Sequence, residues 1–451
     1  MNNRSLKARL SLMNFMEFAV WGAYLISMGM FLGGNGLGPQ VFWFYTVQGI
    51  VSIIMPALIG IVADRWIPAQ MTLSLCHLIA GVFMIATGFV ASSQLAAGGT
   101  LEFGLIFTLY TISVAFFMPT IGLSNSVAFV GLEKYGLSTV TDFPPIRVFG
   151  TVGFICAELF VNFVSFGDGV TIQHSYTQFY TSGVLSLLLA AYCFTLPSCP
   201  VNKGAAKSLA EALGLKAFRL FKQKKMAIFF IFSMLLGVSL QITNTYGSSF
   251  INHFNELAEY SGGFWAKNPT FLISISQCAE ALCILLIPFC LKRFGIKGVM
   301  LMAMFAWVLR FGFFGIGNTN YPGVIFLILS CIVYGVAFDF FNVSGGIYVD
   351  SQTDPAQRSS AQGLFMLMTN GIGASLGTFI AGNCVVNRLV DTQTMTIEEQ
   401  SAGWTESWLI FAAYALVVAV LFMFIFKEPK NQKPDSVEVA KAENESLLTD
   451  K

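Results

Sequence analysis

Charged residues are scarce in this sequence. Only 11% of its 451 residues are Asp, Glu, Lys or Arg, while 55% are hydrophobic; a soluble globular protein carries about 25% charged residues. This scarcity excludes a mainly water-exposed fold and indicates an integral membrane protein. The net charge of +1 provides no excess of basic residues for phosphate backbones, so we expect no nucleic-acid partner.

Several motifs that carry chemistry are also missing. The nine cysteines are scattered singly, without a Cys-x-x-Cys pair or a metal-ligand spacing, so we expect free, buried thiols and no metal site. No glycine-rich loop that cradles phosphate is present, which argues against nucleotide substrates. No nucleophile is arranged with a base as catalysis requires. We therefore expect neither an enzyme nor a bound cofactor.

Long apolar runs make up most of the chain. Twelve runs of about 20 residues are long enough to span a bilayer as helices, and they predict an all-α integral membrane fold with twelve transmembrane helices. The predicted spans are 10–33, 41–63, 71–93, 101–124, 147–166, 175–197, 226–248, 268–291, 297–317, 322–346, 361–384 and 405–426.

Lysine and arginine are divided unevenly between the two ends of these spans. Of the 25 such residues, 21 lie in the two tails and in alternate loops, whereas the opposite loops hold only Lys267 and Arg388. The remaining two, Arg147 and Arg310, lie within spans. Because basic residues accumulate on the cytoplasmic side of membrane proteins, we expect both termini in the cytoplasm.

The longest basic connection, from Cys199 to Lys225, divides the spans into two sets of six. The predicted domains are an N-terminal half (1–199), a basic cytoplasmic linker (200–225), a C-terminal half (226–426) and a disordered cytoplasmic tail (427–451). The apolar linker residues between Leu213 and Phe221 favour either a short amphipathic helix on membrane lipid or an ordinary solvated linker, and the sequence leaves both open.

Six ionisable residues other than His77 interrupt the apolar spans. A charged side chain at the bilayer centre costs roughly 2.5 kcal/mol or more, so such residues face protein or a water-filled cavity and often mark transport pathways or proton relays. We expect Arg310 to be the structural partner of an ion pair and the others to be functional candidates. The six are Glu17, Arg147, Glu158, Glu280, Arg310 and Asp339.

Helical spacing groups several of these residues with polar and aromatic neighbours. Residues three or four apart share a helical face, and three spans show this pattern: Arg147, Thr151, Phe154 and Glu158; Gln241 with Asn244; Gln277 with Glu280. Tyr334 and Phe338 also share a face, beside Asp339. Buried amides need hydrogen-bond partners, which a hydroxyl-rich ligand supplies; contacts between helices supply them equally well.

The turn after the second span carries a recognisable signature. Gly60, Asp64 and Arg65 match the pattern G-x-x-x-D-[RK] that the major facilitator superfamily has between its second and third spans, although Trp66-Ile-Pro follows here instead of Gly-Arg-Arg/Lys. Together with twelve spans and a central linker, this pattern resembles that superfamily, whose members have two six-helix halves. The resemblance implies a role in conformational gating for the three residues.

Three longer stretches resemble the bacterial nucleoside:proton symporters of that superfamily. They are 140–154, 226–244 and 332–342, and the resemblance extends from about Leu10 to Lys427. It implies proton-coupled uptake of nucleosides, such as uridine or adenosine, across the bacterial inner membrane, with the proton as the coupling ion. The family's nucleoside site matches Arg147, Thr151, Phe154, Gln241, Asn244, Gln277, Glu280, Tyr334 and Phe338.

The same resemblance suggests where the coupling proton is held. Asp339 matches the acid that matters for coupling in the family, and we expect Phe154 and Phe338 to sandwich the base. Glu17 stands where the family has an amide and Glu158 where it has an apolar residue; each adds an acid to an expected cavity-facing stripe. Alternatives are a carrier for another hydroxylated solute such as a sugar, uptake without protons, and a nucleoside sensor that does not transport.

Overall fold

The chain is helical throughout the parts that the structure describes. The structure is a computed structural model and describes residues 2–166, 169–199, 201, 215–353, 358–391 and 394–427. Within these ranges extended pairing is limited to one isolated bridge, between Ser165 and Thr171. The predicted all-α fold is confirmed.

Twelve helices account for the predicted spans. Their bounds are α1 Asn3–Gly22, continued by Met28–Leu32; α2 Val41–Arg65; α3 Ala69–Ala96; α4 Phe103–Lys134; α5 Thr139–Phe163; α6 Thr177–Tyr192; α7 Lys224–Leu240, continued by Ile242–His253; α8 Pro269–Cys283; α9 Ile287–Ile316; α10 Gly323–Gln352; α11 Arg358–Met366, continued by Ala374–Ile380 and Asn387–Leu389; and α12 Ile397–Ile425.

The number of crossings follows from the lengths of these helices. Ten helical runs in the described ranges are long and apolar enough to cross a membrane, and α1, which carries four charged residues, is not among them. One run, Pro269–Ile316, has 48 residues and would measure about 72 Å as a single helix, more than twice the roughly 30 Å hydrocarbon core. It breaks inside α9 at Gly295, where φ is 70°, so the part of α9 before Gly295 completes the crossing that α8 begins. This run therefore makes two crossings, which gives eleven, and α1 adds the twelfth.

Polar residues at the helix starts extend several helices beyond the predicted apolar runs. The Asn2 side chain accepts hydrogen bonds from the backbone N–H groups of Arg4 (2.7 Å) and Ser5 (3.2 Å), so α1 begins seven residues before the apolar run. At α12, Thr396 and Glu399 form a reciprocal capping box. Such caps satisfy N–H groups that the first turn leaves free, and apolar periodicity alone does not reveal them.

Glycines let the helices around the centre approach closely. A Cβ atom at Gly153 of α5 would lie 2.0 Å from the carbonyl oxygen of Phe15 in α1, and one at Gly335 of α10 would lie 2.6 Å from the carbonyl oxygen of Ala279 in α8. Only glycine fits at such contacts. They hold α5 against α1 in one half and α10 against α8 in the other, and α5 also contacts α8 across the halves.

Hydrogen bonds join the two halves at one end of the bundle. Asn162 donates to Asn268 over 2.7 Å, and Thr270 donates to Gln173 over 2.8 Å. Ser248 donates to the Ile26 carbonyl over 2.5 Å, and the Asn387 amide donates to the Pro39 carbonyl over 2.7 Å. We call this end, where α1, α5, α7 and α11 finish, the hydrogen-bonded end.

The predicted linker and tail lie partly outside the described residues. Residues 202–214 and 428–451 are outside them, and with them Leu213 and nearly all of the predicted tail. Leu215–Lys222 forms a short 3-10 helix that packs against α7 and α11. Its Leu220 is buried and Phe221 contacts Phe230 of α7, with ring centroids 5.4 Å apart. This segment therefore packs on protein, and the domain boundaries remain a prediction.

Candidate functional site

An arginine of one half faces two acids of the other half at the centre of the bundle. Arg147 of α5 interacts electrostatically with Glu280 of α8, Glu17 of α1 and Asp339 of α10; we call Arg147, Glu280 and Asp339 the central group. Its guanidinium carbon lies 3.9 Å from the centroid of the Phe18 ring, a cation–π contact that fixes the side chain. No ion pair within 4.0 Å involves Arg147 in the described ranges, so the cation of the N-terminal half interacts with the acids of the C-terminal half without a direct salt bridge.

Aromatic rings surround this charged group. Phe154 is buried and meets Trp21 edge to face, with centroids 6.1 Å apart. Tyr334 and Phe338 stack nearly parallel, with centroids 5.7 Å apart and planes 15° apart, and Trp307 meets Tyr334 edge to face. The predicted rings therefore line both halves, but Phe338 already has a stacking partner in Tyr334, which the sequence did not indicate.

The predicted amides lie at the break in α7 and on α8. Gln241 sits in the interruption between the two segments of α7, where it accepts a 2.7 Å hydrogen bond from the Asn244 amide. The Gln277 side-chain oxygen is buried and has no hydrogen-bond partner among the described residues. Thr151 is half-buried on α5. One amide pair thus bonds internally, whereas Gln277 keeps an acceptor free for a ligand.

Two of the candidate proton sites have carboxylate oxygens without partners. Asp339 is 6% exposed, and its Oδ2 has no hydrogen-bond partner within the described ranges. Glu158 is fully buried, both of its oxygens lack partners there, and it interacts electrostatically with Glu280. A buried carboxylate without a bonded partner is expensive unless it is neutral, so both positions suit an acid that gains and loses a proton.

The position of Glu17 differs from the expected cavity-facing stripe. It is fully buried inside the N-terminal half, where its Oε2 lies 2.8 Å from His77 Nε2 and its Oε1 accepts a 2.5 Å hydrogen bond from Thr120. His77 Nδ1 lies 3.0 Å from Ser186 Oγ. Each carboxylate oxygen of Glu17 therefore has a partner, one on α3 and one on α4. We expected no role for His77 from the sequence, although a histidine inside an apolar span is a signal that could have identified this buried pair.

The expectation for Arg310 is also corrected. No ion pair to Arg310 is present among the described residues. Its guanidinium donates instead to the Ser330 carbonyl over 3.0 Å and lies 4.2 Å from the centroid of the Tyr334 ring. Neutral acceptors and an aromatic face thus replace the acid, and Arg310 supports the ring that stacks on Phe338.

The predicted gating residues lie at the end of α2. Gly60, Asp64 and Arg65 belong to the last turns of the helix, and a short turn from Trp66 to Pro68 leads into α3. The Asp64 side chain lies outside what the structure describes. A Cβ atom at Gly60 would meet nothing within 4 Å, so this glycine leaves open space on its helix face.

A cavity of about 350 Å³, which we call the end cavity, opens at the hydrogen-bonded end. Residues between Gly29 and Val41 form one wall, and α7, the turn after it, α11 and α12 form the other, including Tyr246, His253, Glu256 and Trp404. Partial burial raises the pKa of the Glu256 carboxyl. No residue of the predicted nucleoside site lines the end cavity, and no sequence pattern indicated that the cavity exists.

A bundle of twelve crossings in two halves, with ionisable groups buried between them, defines a secondary transporter of the major facilitator superfamily. The sequence model of a family described as nucleoside H+ symporter matches residues 4–431. Xanthosine permease of Escherichia coli is 45% identical, with 96% of this chain and 98% of that protein covered, and nucleoside permease NupG of Escherichia coli is 41% identical, with 94% and 96% covered. The chain therefore belongs to the nucleoside H+ symporter family.

A solved structure agrees with this assignment. The crystal structure of nucleoside transporter NupG superposes with a TM-score of 0.83 at 40% identity, covering 95% of this chain and 100% of that chain. The resemblance drawn from the three sequence stretches is thus confirmed, as is proton-coupled nucleoside transport as the activity. The relatives are permeases and transporters, not enzymes, in agreement with the expectation from the sequence.

Proposed function

We propose that this protein carries nucleosides with protons across the bacterial inner membrane into the cell, using Arg147, Glu280 and Asp339 at the centre of its alternating-access cycle. The supporting observation is that α5, which carries Arg147, contacts α8, which carries Glu280, and that Arg147 interacts electrostatically with Glu280 and Asp339 across the halves. A group that joins the halves responds to their relative movement, because each half carries part of it. Binding of substrate or proton there is therefore coupled to the conformation of the whole bundle.

The side chains around this group suit a nucleoside. Carboxylates and amides, here Glu280 and Gln277, accept hydrogen bonds from ribose hydroxyls. Aromatic rings such as Phe154 and Phe338 offer flat apolar faces to the base. Thr151, Gln241, Asn244 and Tyr334 complete the proposed site. Uridine and adenosine are candidates from the sequence and the site, and the name of the xanthosine permease relative adds xanthosine.

The proposed orientation places both termini in the cytoplasm and the hydrogen-bonded end in the periplasm. The bonds from Asn162, Thr270 and Ser248 would then close the outer path, and their rupture would open the central site to the periplasm. Gly60, Asp64 and Arg65 lie at the cytoplasmic end, where we propose that they gate the inner path. The exposed side chains of Lys222, Lys224 and Lys225 at this surface would contact anionic membrane lipid.

A reporter test of topology checks this orientation. A reporter fused after Lys427 is expected to be cytoplasmic, and a tag near Ser261 is expected to be periplasmic, because 21 of the 25 basic residues lie on the side of the tails. Labelling of engineered cysteines at the two positions with an impermeant thiol reagent measures the outcome. Reaction at the Lys427 position and protection near Ser261 in intact cells would reverse the orientation.

Transport into vesicles tests the function itself. Vesicles containing the purified protein are expected to accumulate labelled uridine, adenosine or xanthosine when the outside is more acidic. A protonophore should reduce this uptake to the level of equilibration, because the proton gradient then no longer drives it. Accumulation of a labelled sugar with no nucleoside uptake would favour the other hydroxylated-solute carrier, and unchanged accumulation with the protonophore would exclude proton coupling.

A further inference from the structure

The end cavity has the size and position of a separate binding site. Its volume of about 350 Å³ lies within the range of about 300–1,000 Å³ that small-molecule pockets occupy. Both halves contribute walls, the N-terminal half through residues between Gly29 and Val41 and the C-terminal half through α7, α11 and α12. A molecule held there would touch both halves, as would a molecule held beside Arg147, Glu280 and Asp339.

Two buried polar groups in its wall lack partners. His253 is 4% exposed and Tyr246 is 3% exposed. The His253 Nε2 atom and the Tyr246 hydroxyl have no hydrogen-bond partner in the part of the chain that the structure describes. A buried polar atom without a partner destabilises the fold unless a ligand or water satisfies it. Ligand hydroxyl groups suit both atoms, because a hydroxyl both donates and accepts and therefore serves either histidine tautomer.

The other groups around the cavity complete a site for a molecule with one flat face and several hydroxyls. Trp404 lines the wall, and its ring centroid lies 6.1 Å from that of Tyr246, so an aromatic surface is available for stacking. Glu256 and Asn252 add a carboxylate and an amide. A planar base joined to a ribose has this combination of groups.

The end cavity is separated from the central group by a closed contact. The hydrogen bond from Ser248 Oγ to the Ile26 carbonyl measures 2.5 Å and lies within three residues of Gly29 and next to Ser249, which both line the cavity. A Cβ atom at Gly29 would lie 2.5 Å from the Thr245 carbonyl oxygen, so the backbones of the two halves are also in contact beside the cavity. A path from the cavity to the centre at this point requires the halves to separate.

We propose that the end cavity is a second nucleoside-binding site, in which the ligand's hydroxyls bond to His253 and Tyr246 and its base lies against Trp404. The inference rests on the proposed function for its choice of ligand. The site holds the nucleoside on the outer side of the Ile26–Ser248 contact before the central site becomes accessible. Because its walls come from both halves in this arrangement, occupancy favours the conformation in which the hydrogen-bonded end is closed.

Equilibrium dialysis of the purified full chain with labelled uridine tests the proposal. Wild type is expected to bind two molecules per chain, and the double variant Tyr246→Phe/His253→Ala is expected to bind one. Tyr246→Phe alone removes only the hydroxyl and should weaken the second site about two- to tenfold, the range for one hydrogen bond. Thermal unfolding without ligand serves as a fold check, since loss of an unpartnered hydroxyl should not lower the midpoint.

Control variants separate this proposal from the proposed function. Tyr321→Phe removes a hydroxyl from an exposed tyrosine at the same end and should leave both sites intact. Glu280→Gln should weaken the central site about 100-fold and leave the second unchanged. One bound uridine in wild type, lost in Glu280→Gln and unaffected by Tyr246→Phe/His253→Ala, would overturn the second site while the proposed function stands.

Two further outcomes are decisive. Displacement by ribose as strong as that by uridine at the second site would overturn its assignment to nucleosides, because the base would contribute nothing. Absence of any binding of uridine, adenosine or xanthosine to folded wild type would instead overturn the proposed function and, with it, the choice of ligand for the end cavity.

Discussion

Glu280→Gln is expected to reduce nucleoside affinity about 100-fold while leaving membrane insertion intact. The substitution keeps the size of the side chain but removes the charge that faces Arg147 and one acceptor for ribose hydroxyls. A hydrogen bond to a charged group contributes about 1.5–3 kcal/mol, and a 100-fold change corresponds to about 2.7 kcal/mol. Uridine binding to the purified variant, titrated at its central site, measures the effect.

Arg147→Ala is the matching change on the other half and is expected to abolish binding at the central site. It removes the cation between Glu280 and Asp339 and the contact with the Phe18 ring. Arg147→Lys keeps the charge but not the planar guanidinium, so partial recovery is expected. Glu102→Gln, at an exposed acid, is the matched control for Glu280→Gln. A folded Glu280→Gln or Arg147→Ala protein with wild-type affinity for uridine would make that residue structural.

The positions of the spans could be predicted because each crossing must be apolar over the thickness of the bilayer. The run at 41–63 became α2, Val41–Arg65, and the run at 71–93 became α3, Ala69–Ala96. The interruptions within spans could not be predicted in this way. Gln241 divides α7, and α11 contains segments of wider helix, because contacts with neighbouring helices, not local hydrophobicity, decide where a helix opens.

The side that a polar residue faces was predicted less well than its depth. Helical spacing placed Arg147, Phe154 and Glu158 on one stripe, and Arg147 does meet acids of the other half. The same reasoning put Glu17 on a cavity-facing stripe, yet it bonds to His77 and Thr120 on α3 and α4. Spacing shows which residues of one helix share a face, but the identity of the opposing helix is a property of the folded bundle.

The end cavity shows a further limit of the sequence. Its walls combine three segments of the chain, which contain Gly29, Tyr246 with His253, and Trp404. More than 100 residues separate each segment from the next. No motif joins such segments. Whether the atoms of His253 and Tyr246 have hydrogen-bond partners depends on the positions of their neighbours in the described structure.

The geometry around the candidate acids decides which one is expected to carry the coupling proton. Glu17 also interacts electrostatically with Arg147, but both of its carboxylate oxygens already have partners, His77 and Thr120. Glu158 is at that contact but interacts with the acid Glu280, not with a cation. Asp339 has one free oxygen and interacts with Arg147 across the halves, so its charge changes the attraction that holds the halves at the centre.

Asp339→Asn is therefore expected to separate transport from coupling. In the proposed cycle, Asp339 takes a proton from the periplasm when the outer path is open, which removes the cost of a bare carboxylate as the site closes around substrate, and it releases the proton to the cytoplasm. Asparagine resembles the protonated acid but cannot lose a proton. The variant should keep uridine binding and exchange of preloaded substrate, and should lose accumulation driven by the proton gradient.

Vesicle uptake beside counterflow exchange, for Asp339→Asn, Glu17→Gln and Glu158→Gln, measures this separation. The Glu17 and Glu158 variants are matched in charge change and serve as internal controls, and each is expected to retain gradient-driven uptake. Concentrative uridine uptake by Asp339→Asn would show that another group carries the proton. Loss of accumulation in Glu158→Gln with exchange intact would assign the proton site to Glu158 on α5. The same loss in Glu17→Gln would assign it to the buried pair of Glu17 and His77.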